Sequence, residues 1–245
     1  MNNKILKLFS DFINIESVST DSSRHPEILK AVEFLKKEIK SLGFKVKTYQ
    51  KNNCPPLIIG YLPSSSRSYK DGKTKTTKTI GIYVHYDVQP EDPLEKWDSP
   101  PFELTKRNGK FYGRGVADDK GHIIQILVAI NQLTRLPDGQ VDTKKLKNNI
   151  VLILEGEEEV GSQNFEELIN QTKKELEKVD VFYILDMGMK SKNVPQIFYG
   201  LRGIIAFELK IKTNETDLHS GIYGNRVFNP AQLLSELMSR MKDGQ

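Results

Sequence analysis

Between residues 26 and 42 the apolar positions Ile28, Val32, Leu35, Ile39 and Leu42 recur in steps of four and three. That spacing predicts a helix with one buried face, closed by Gly43 as a C-terminal cap. Residues 1–15 read as an earlier amphipathic helix, its apolar pattern broken by Lys7 and Asp11. The helical period returns over residues 120–133 with Ile123, Ile126, Leu127, Ile130 and Leu133. Extended segments are read at 44–49 and 57–62, and the β-branched and aromatic run 79–88 reads as a buried strand. Residues 149–154 are an almost continuous aliphatic strand, 164–179 an amphipathic helix and 181–185 another short aliphatic strand. Strands alternating with helices, and strands apolar on both faces, predict an α/β fold with a mostly parallel sheet flanked by helices.

Past Gly200 the pattern changes. Residues 204–212 alternate with a period near two and 229–241 return to helical spacing, so a domain boundary is placed near residue 200. Residues 1–200 would form the main domain, and 201–245 the beginning of a second that is too short to bury its own core. A length of 245 residues with 38% hydrophobic and 28% charged positions fits an ordinary globular protein and excludes a disulfide scaffold or a disordered chain. Thirty-six Lys and Arg against 32 Asp and Glu leave +4, which makes no case for a nucleic-acid or membrane partner. The polar run 64–78 reads as a solvated loop; its lysines, Lys70 to Lys78, lack the interleaved aromatics of a polyanion-binding patch. The single Cys54 rules out an intrachain disulfide and a Cys-rich zinc site, and is consistent with a reducing compartment. The longest aliphatic run, 150–154, falls far short of the roughly 18 residues of a membrane helix. A cytoplasmic location is the expectation.

Candidate chemistry gathers where strands end. His85 and Asp87 sit at the end of the 79–88 strand, where i and i+2 share a face, and ligands of parallel sheets bind at the carboxyl ends. His85 can offer a ring nitrogen to a metal while Asp87 orients the imidazole, although such a pair alone commonly satisfies a turn. Asp118 and Asp119 follow Gly113 and Gly115 and precede Gly121 at a helix start. Capping accounts for one Asp there, but two among three glycines suit a close approach to a bridged cation. The acids Glu155, Glu157, Glu158 and Glu159 follow the most apolar strand, and such crowding is repulsive unless a cation or proton relieves it. One can ligate metal while its neighbour, with a raised pKa, acts as general base. The strand 181–185 runs into Asp186. Three successive strand ends, each delivering His, Asp or Glu, point to a metal cleft. His219, in a loop of the second segment, is by default structural; in chemistry it would serve as an oxyanion stabiliser.

The segments His85-Tyr86-Asp87-Val88-Gln89-Pro90, Tyr112-Gly113-Arg114-Gly115 with Asp118-Asp119-Lys120-Gly121, Glu155-Gly156 with Glu158-Glu159, and His219-Ser220-Gly221 occur in this order. Together they resemble the dinuclear-metal peptidase family of carnosine dipeptidase, succinyl-diaminopimelate desuccinylase, acetylornithine deacetylase and aminoacylase. The resemblance implies a zinc-peptidase-like catalytic domain followed by the start of an α+β lid and dimerisation domain. It implies two divalent metal ions, usually zinc, with manganese or cobalt working in some members. His85 would bind one metal, Asp118 would bridge both, Asp186 would complete the first site and Glu159 would bind the second. Asp87 would orient His85, Glu158 would be the general base, and His219 would reach across a homodimer interface to the oxyanion. The substrate would be a small peptide or an N-acyl amino acid. Residues 85–90, with Trp97 and Pro100-Pro101-Phe102, resemble the dipeptidase branch more than the desuccinylase branch. Family members are longer and bring a final metal-binding His from near their C-terminus; neither His25 nor His122 is placed to replace it. The chain is thus expected to be the N-terminal part of such an enzyme. The alternatives are an inactive fragment keeping a partial metal-binding or dimer-forming surface, and a deacylase of the same family.

Overall fold

A computed structural model describes residues 3–65, 69–70, 73–74, 77–191 and 193–241. The backbone divides into two units, residues 1–189 and 190–245. In the first unit the elements are, in chain order, α1 (Asn3–Ile13), α2 (His25–Ser41), β1 (Lys45–Tyr49), β2 (Leu57–Leu62), β3 (Tyr69–Lys70), β4 (Lys73–Thr74), β5 (Thr79–His85), β6 (Thr105–Arg107), β7 (Lys110–Tyr112), α3 (Lys120–Thr134), β8 (Asn149–Glu155), α4 (Phe165–Gln171), α5 (Lys173–Leu176) and β9 (Val181–Ile184). The second unit holds α6 (Ser220–Tyr223) and α7 (Pro230–Met241).

The main sheet has the order β1-β2-β8-β5-β9. β5 is parallel to both β8 and β9, while β2 is antiparallel to β8 and to β1. β1 therefore runs with β8, β5 and β9, and only β2 opposes them, so the sheet is mostly parallel. Each inner strand divides its side chains between two cores, as the two-residue period requires. Ile150, Leu152 and Leu154 of β8 join Ile58 and Leu62 of β2 and the apolar faces of α1, α2 and α3. Val151 and Ile153 join Leu57 and Ile59 against Leu168 of α4. Covering both faces explains the near-continuous aliphatic sequence of β8.

The chain steps from β5 to its neighbour β8 through α3, then crosses back through α4 and α5 to β9 on the other side of β5. A reversal of this kind opens a crevice at the carboxyl ends of the strands. Tyr86 and Val88 extend the line of β5: Tyr86 N–H donates to Glu155 O at 2.8 Å and Val88 N–H to Ser17 O at 3.0 Å.

Three segments differ from the sequence expectation or lie outside the description. The helix read over 164–179 is two helices, because Thr172 is fully buried and turns both its amide N–H and its hydroxyl back on Ile169 O, tightening the turn. Residues 204–212 form no strand; among the described residues no neighbouring strand offers them a ladder, and an extended segment without one has no hydrogen bonds of its own. The side chains of the lysine-rich stretch 70–76 lie outside the described residues. Among the described residues, no helix is long and apolar enough to cross a membrane.

Candidate metal centre

His85 is the last residue of β5 and is completely buried. Its Nδ1 lies 3.1 Å from Asp87 O and 3.3 Å from Asp87 Oδ1. Its Nε2 faces three carboxylates: Asp118 Oδ1 at 2.9 Å, Asp186 Oδ2 at 3.8 Å and Glu158 Oε2 at 4.0 Å. Burial opposes a charge on this ring, but the hydrogen bonds of Asp118 and Asp87 and the charges of Asp87 and Asp119 outweigh it, raising the pKa to about 11. The proton held there occupies the position of a cation, and a metal ion entering the cluster must displace it.

Asp87, also completely buried, has a second task besides facing the ring. Its Oδ1 accepts Glu158 N–H at 3.3 Å and its Oδ2 accepts Glu159 N–H at 3.1 Å. One carboxylate thus fixes both the imidazole and the 3-10 turn Glu158–Val160 that carries two acids. Glu159 is further held by Gln89, whose Nε2 donates to its carboxylate at 2.7 Å and to its carbonyl at 3.1 Å. Burial pushes the carboxyl groups of Glu158 and Glu159 up, whereas the hydrogen bond to His85 holds Asp118 low. A raised carboxyl beside a low one is the arrangement that separates a proton acceptor from a ligand.

The structure brings His85, Asp87, Asp118, Glu158, Glu159 and Asp186 together at the ends of β5, β8 and β9. Among the described residues, two groups of three each bring one ligand atom per residue within 4.8 Å of the others in the group: His85, Asp119 and Asp186, and His85, Glu158 and Glu159. An imidazole among carboxylates suits zinc, manganese or cobalt, so the residues present fit a divalent ion. The sequence offered Asp119 only as one of a pair with Asp118 and gave it no role of its own. It is fully buried, its Oδ2 accepts His85 N–H at 3.0 Å, and its Oδ1 meets Nδ1 of His122. The only signals in the sequence were the doubled Asp and a His three residues on. His219 lies in the second unit, where it precedes α6 and its Nδ1 accepts Gly221 N–H at 3.0 Å.

The family profile described as peptidase family M20/M25/M40 matches residues 81–231, which include every one of these residues. The chain belongs to that family. It is 32% identical over 240 residues to the Cys-Gly metallodipeptidase dug1 of Schizosaccharomyces pombe, covering 94% of this chain and 47% of that protein. It is 34% identical over 190 residues to the Beta-Ala-His dipeptidase of Homo sapiens, covering 77% of this chain and 34% of that protein. Among solved structures, the M20 family metallo-carboxypeptidase Sso-CP2 from Sulfolobus solfataricus superposes with a TM-score of 0.75 at 30% identity, over 99% of this chain and 50% of that one. The di-peptidase Dug1p from Saccharomyces cerevisiae superposes with a TM-score of 0.73 at 26% identity, over 98% and 50%. The chain spans at most about half the length of these relatives. Membership of the M20 family implies divalent metal ions, and the candidate ligands of this chain are the two donor sets above together with Asp118, 2.9 Å from His85 Nε2.

Proposed function

We propose that the chain carries the metal-binding half of a dipeptidase that hydrolyses the amide bond of small peptides. The observation that supports it most is His85 Nε2, at the end of β5, ringed by Glu158 after β8, Asp186 after β9 and Asp118 from the loop before α3. In this reading His85, Asp118 and Asp186 would hold one divalent ion, and Asp118 and Glu159 would hold a second. When bound, the ions supply Lewis-acid polarisation of the scissile carbonyl and acidify the attacking water. Asp87 keeps the imidazole of His85 in register with the turn of Glu158. Glu158, its carboxyl pushed up by burial, takes the proton from the attacking water and returns it to the leaving amine. His219, carried by a lid domain that begins near residue 201, stabilises the oxyanion from across a homodimer interface in the full-length protein. Zinc is the first choice of metal and a dipeptide, such as those in the relatives' names, the first choice of substrate. The compartment is the cytoplasm.

The test is elemental analysis of the purified 245-residue chain, with a small dipeptide panel assayed in zinc or manganese. Metal retained by the wild type and lost on His85→Ala supports the reading. A wild-type chain that retains no divalent ion, or cleavage indifferent to chelator, refutes it.

A further inference from the structure

Lys120 is the first residue of α3 and is completely buried, yet among the described residues it forms no ion pair. Its Nζ donates to Ile15 O at 2.5 Å and to Phe12 O at 3.2 Å, and stands 4.9 Å from the centroid of the Phe12 ring. Phe12 is in the last turn of α1, where carbonyls have no partner within their own helix, so Lys120 closes the end of one helix from the start of another. An amino group buried without a counter-ion is costly, and an apolar side chain of similar volume would fill the slot without that cost.

What the amino group gains by its position is visible in the loop just before it. A Cβ on Gly115 would stand 3.0 Å from Lys120 Cδ and 3.3 Å from Cγ, and one on Gly121 would strike Val116 O. Gly121 N–H donates to Gly115 O at 3.0 Å and Val116 N–H to Gly113 O at 3.2 Å. The glycines let the backbone of residues 113–121 coil closely around the Lys120 stem, and the same coil delivers Asp118 to His85 and Asp119 to the His85 N–H. We propose that Lys120 is a positioning residue of the metal centre: anchored on the Phe12 and Ile15 carbonyls, it holds residues 113–119 in the form that presents Asp118 beside His85. The inference rests on the metal-binding reading above. It assigns Lys120 no contact with substrate.

The test compares wild type with Lys120→Met, which keeps the stem and removes the amino group. Amide hydrogen exchange of the metal-free chain reads the loop, and calorimetric titration with zinc alone reads the ligands. In Lys120→Met the amides of residues 113–119 exchange at least about tenfold faster while 123–134 keep their protection, and zinc affinity falls about tenfold or more. Unchanged exchange overturns the proposal, and so does faster exchange with unchanged zinc affinity. If Lys120→Met does not fold, Lys120→Gln is read by the same criteria; failure of both to fold assigns the amino group to the core and overturns it too. A wild-type chain that binds no zinc refutes the metal reading, while the exchange comparison still decides whether Lys120 pins the loop.

Discussion

β8 and β9 are alike in sequence and opposite in circumstance. Val151-Leu152-Ile153-Leu154 and Val181-Phe182-Tyr183-Ile184 are both short apolar runs that lead to an acid of the metal cluster or its surroundings. The first lies between β2 and β5 with helices over both faces, and its four residues are at most 3% exposed. The second lies at the sheet's edge, and its four residues are 41–58% exposed. Apolar composition admits a segment to a sheet; the neighbours it finds there decide how much stability its side chains contribute.

The difference can be broken most directly in the core. Leu152→Ala should cost about 2–5 kcal/mol, because a methylene-rich side chain is removed from a site packed on every side. Its urea unfolding midpoint should fall accordingly. At the strand ends, Asp87→Ala should weaken zinc binding about 10–100-fold, since it frees both the His85 ring and the Glu158–Val160 turn. Calorimetric titration of the folded variant checks it.

Proton linkage probes the same buried end more gently. His85 is raised from 6.5 to about 11, so in the metal-free chain it contributes stability that is complete below pH 6.5 and is lost as pH climbs toward 11. Lys120 is lowered by burial from 10.5 to about 7, so between those values the unfolded chain holds more protons and stability rises with pH. The two slopes oppose each other. Thermal melts between pH 7 and 10 should therefore climb with pH in His85→Gln and decline with pH in Lys120→Met. The smallest effect belongs to the edge: Ile184→Ala should change unfolding free energy by no more than about 0.5 kcal/mol. A loss comparable to that of Leu152→Ala would show that β9 is covered in solution.

Most of the first unit could be read locally. The spacing of Ile28, Val32, Leu35 and Ile39 marks the buried face of α2, and the unbroken aliphatics of β8 announce a strand covered on both sides. Misreadings occurred where local pattern met tertiary circumstance. Thr172 breaks a helix whose apolar period continues through it, and residues 204–212 alternate like a strand but find none to pair with among the described residues. At the site, His85, Asp118, Glu158, Glu159 and Asp186 were visible because each follows a strand or opens a helix. Asp119 was visible as half of a pair but its own role was not, because its task is to accept an amide 34 residues earlier in the chain, and no periodicity reports that. Lys120 was hidden because lysine is read as a surface residue unless the structure buries it.

By itself the sequence determined which segments are helices and strands and which kinds of donor stand at their ends, since periodicity and turn chemistry act over a few residues. Only the tertiary structure decided that β5 lies between β8 and β9, which turns three separate strand ends into one cluster around a single imidazole nitrogen. It also decided that Asp87 would join His85 to a turn 71 residues away, and that one aliphatic strand would be core and its likeness an edge. The physical reason is that burial and charge pairing belong to neighbours in space, which sheet order assigns and local pattern does not encode.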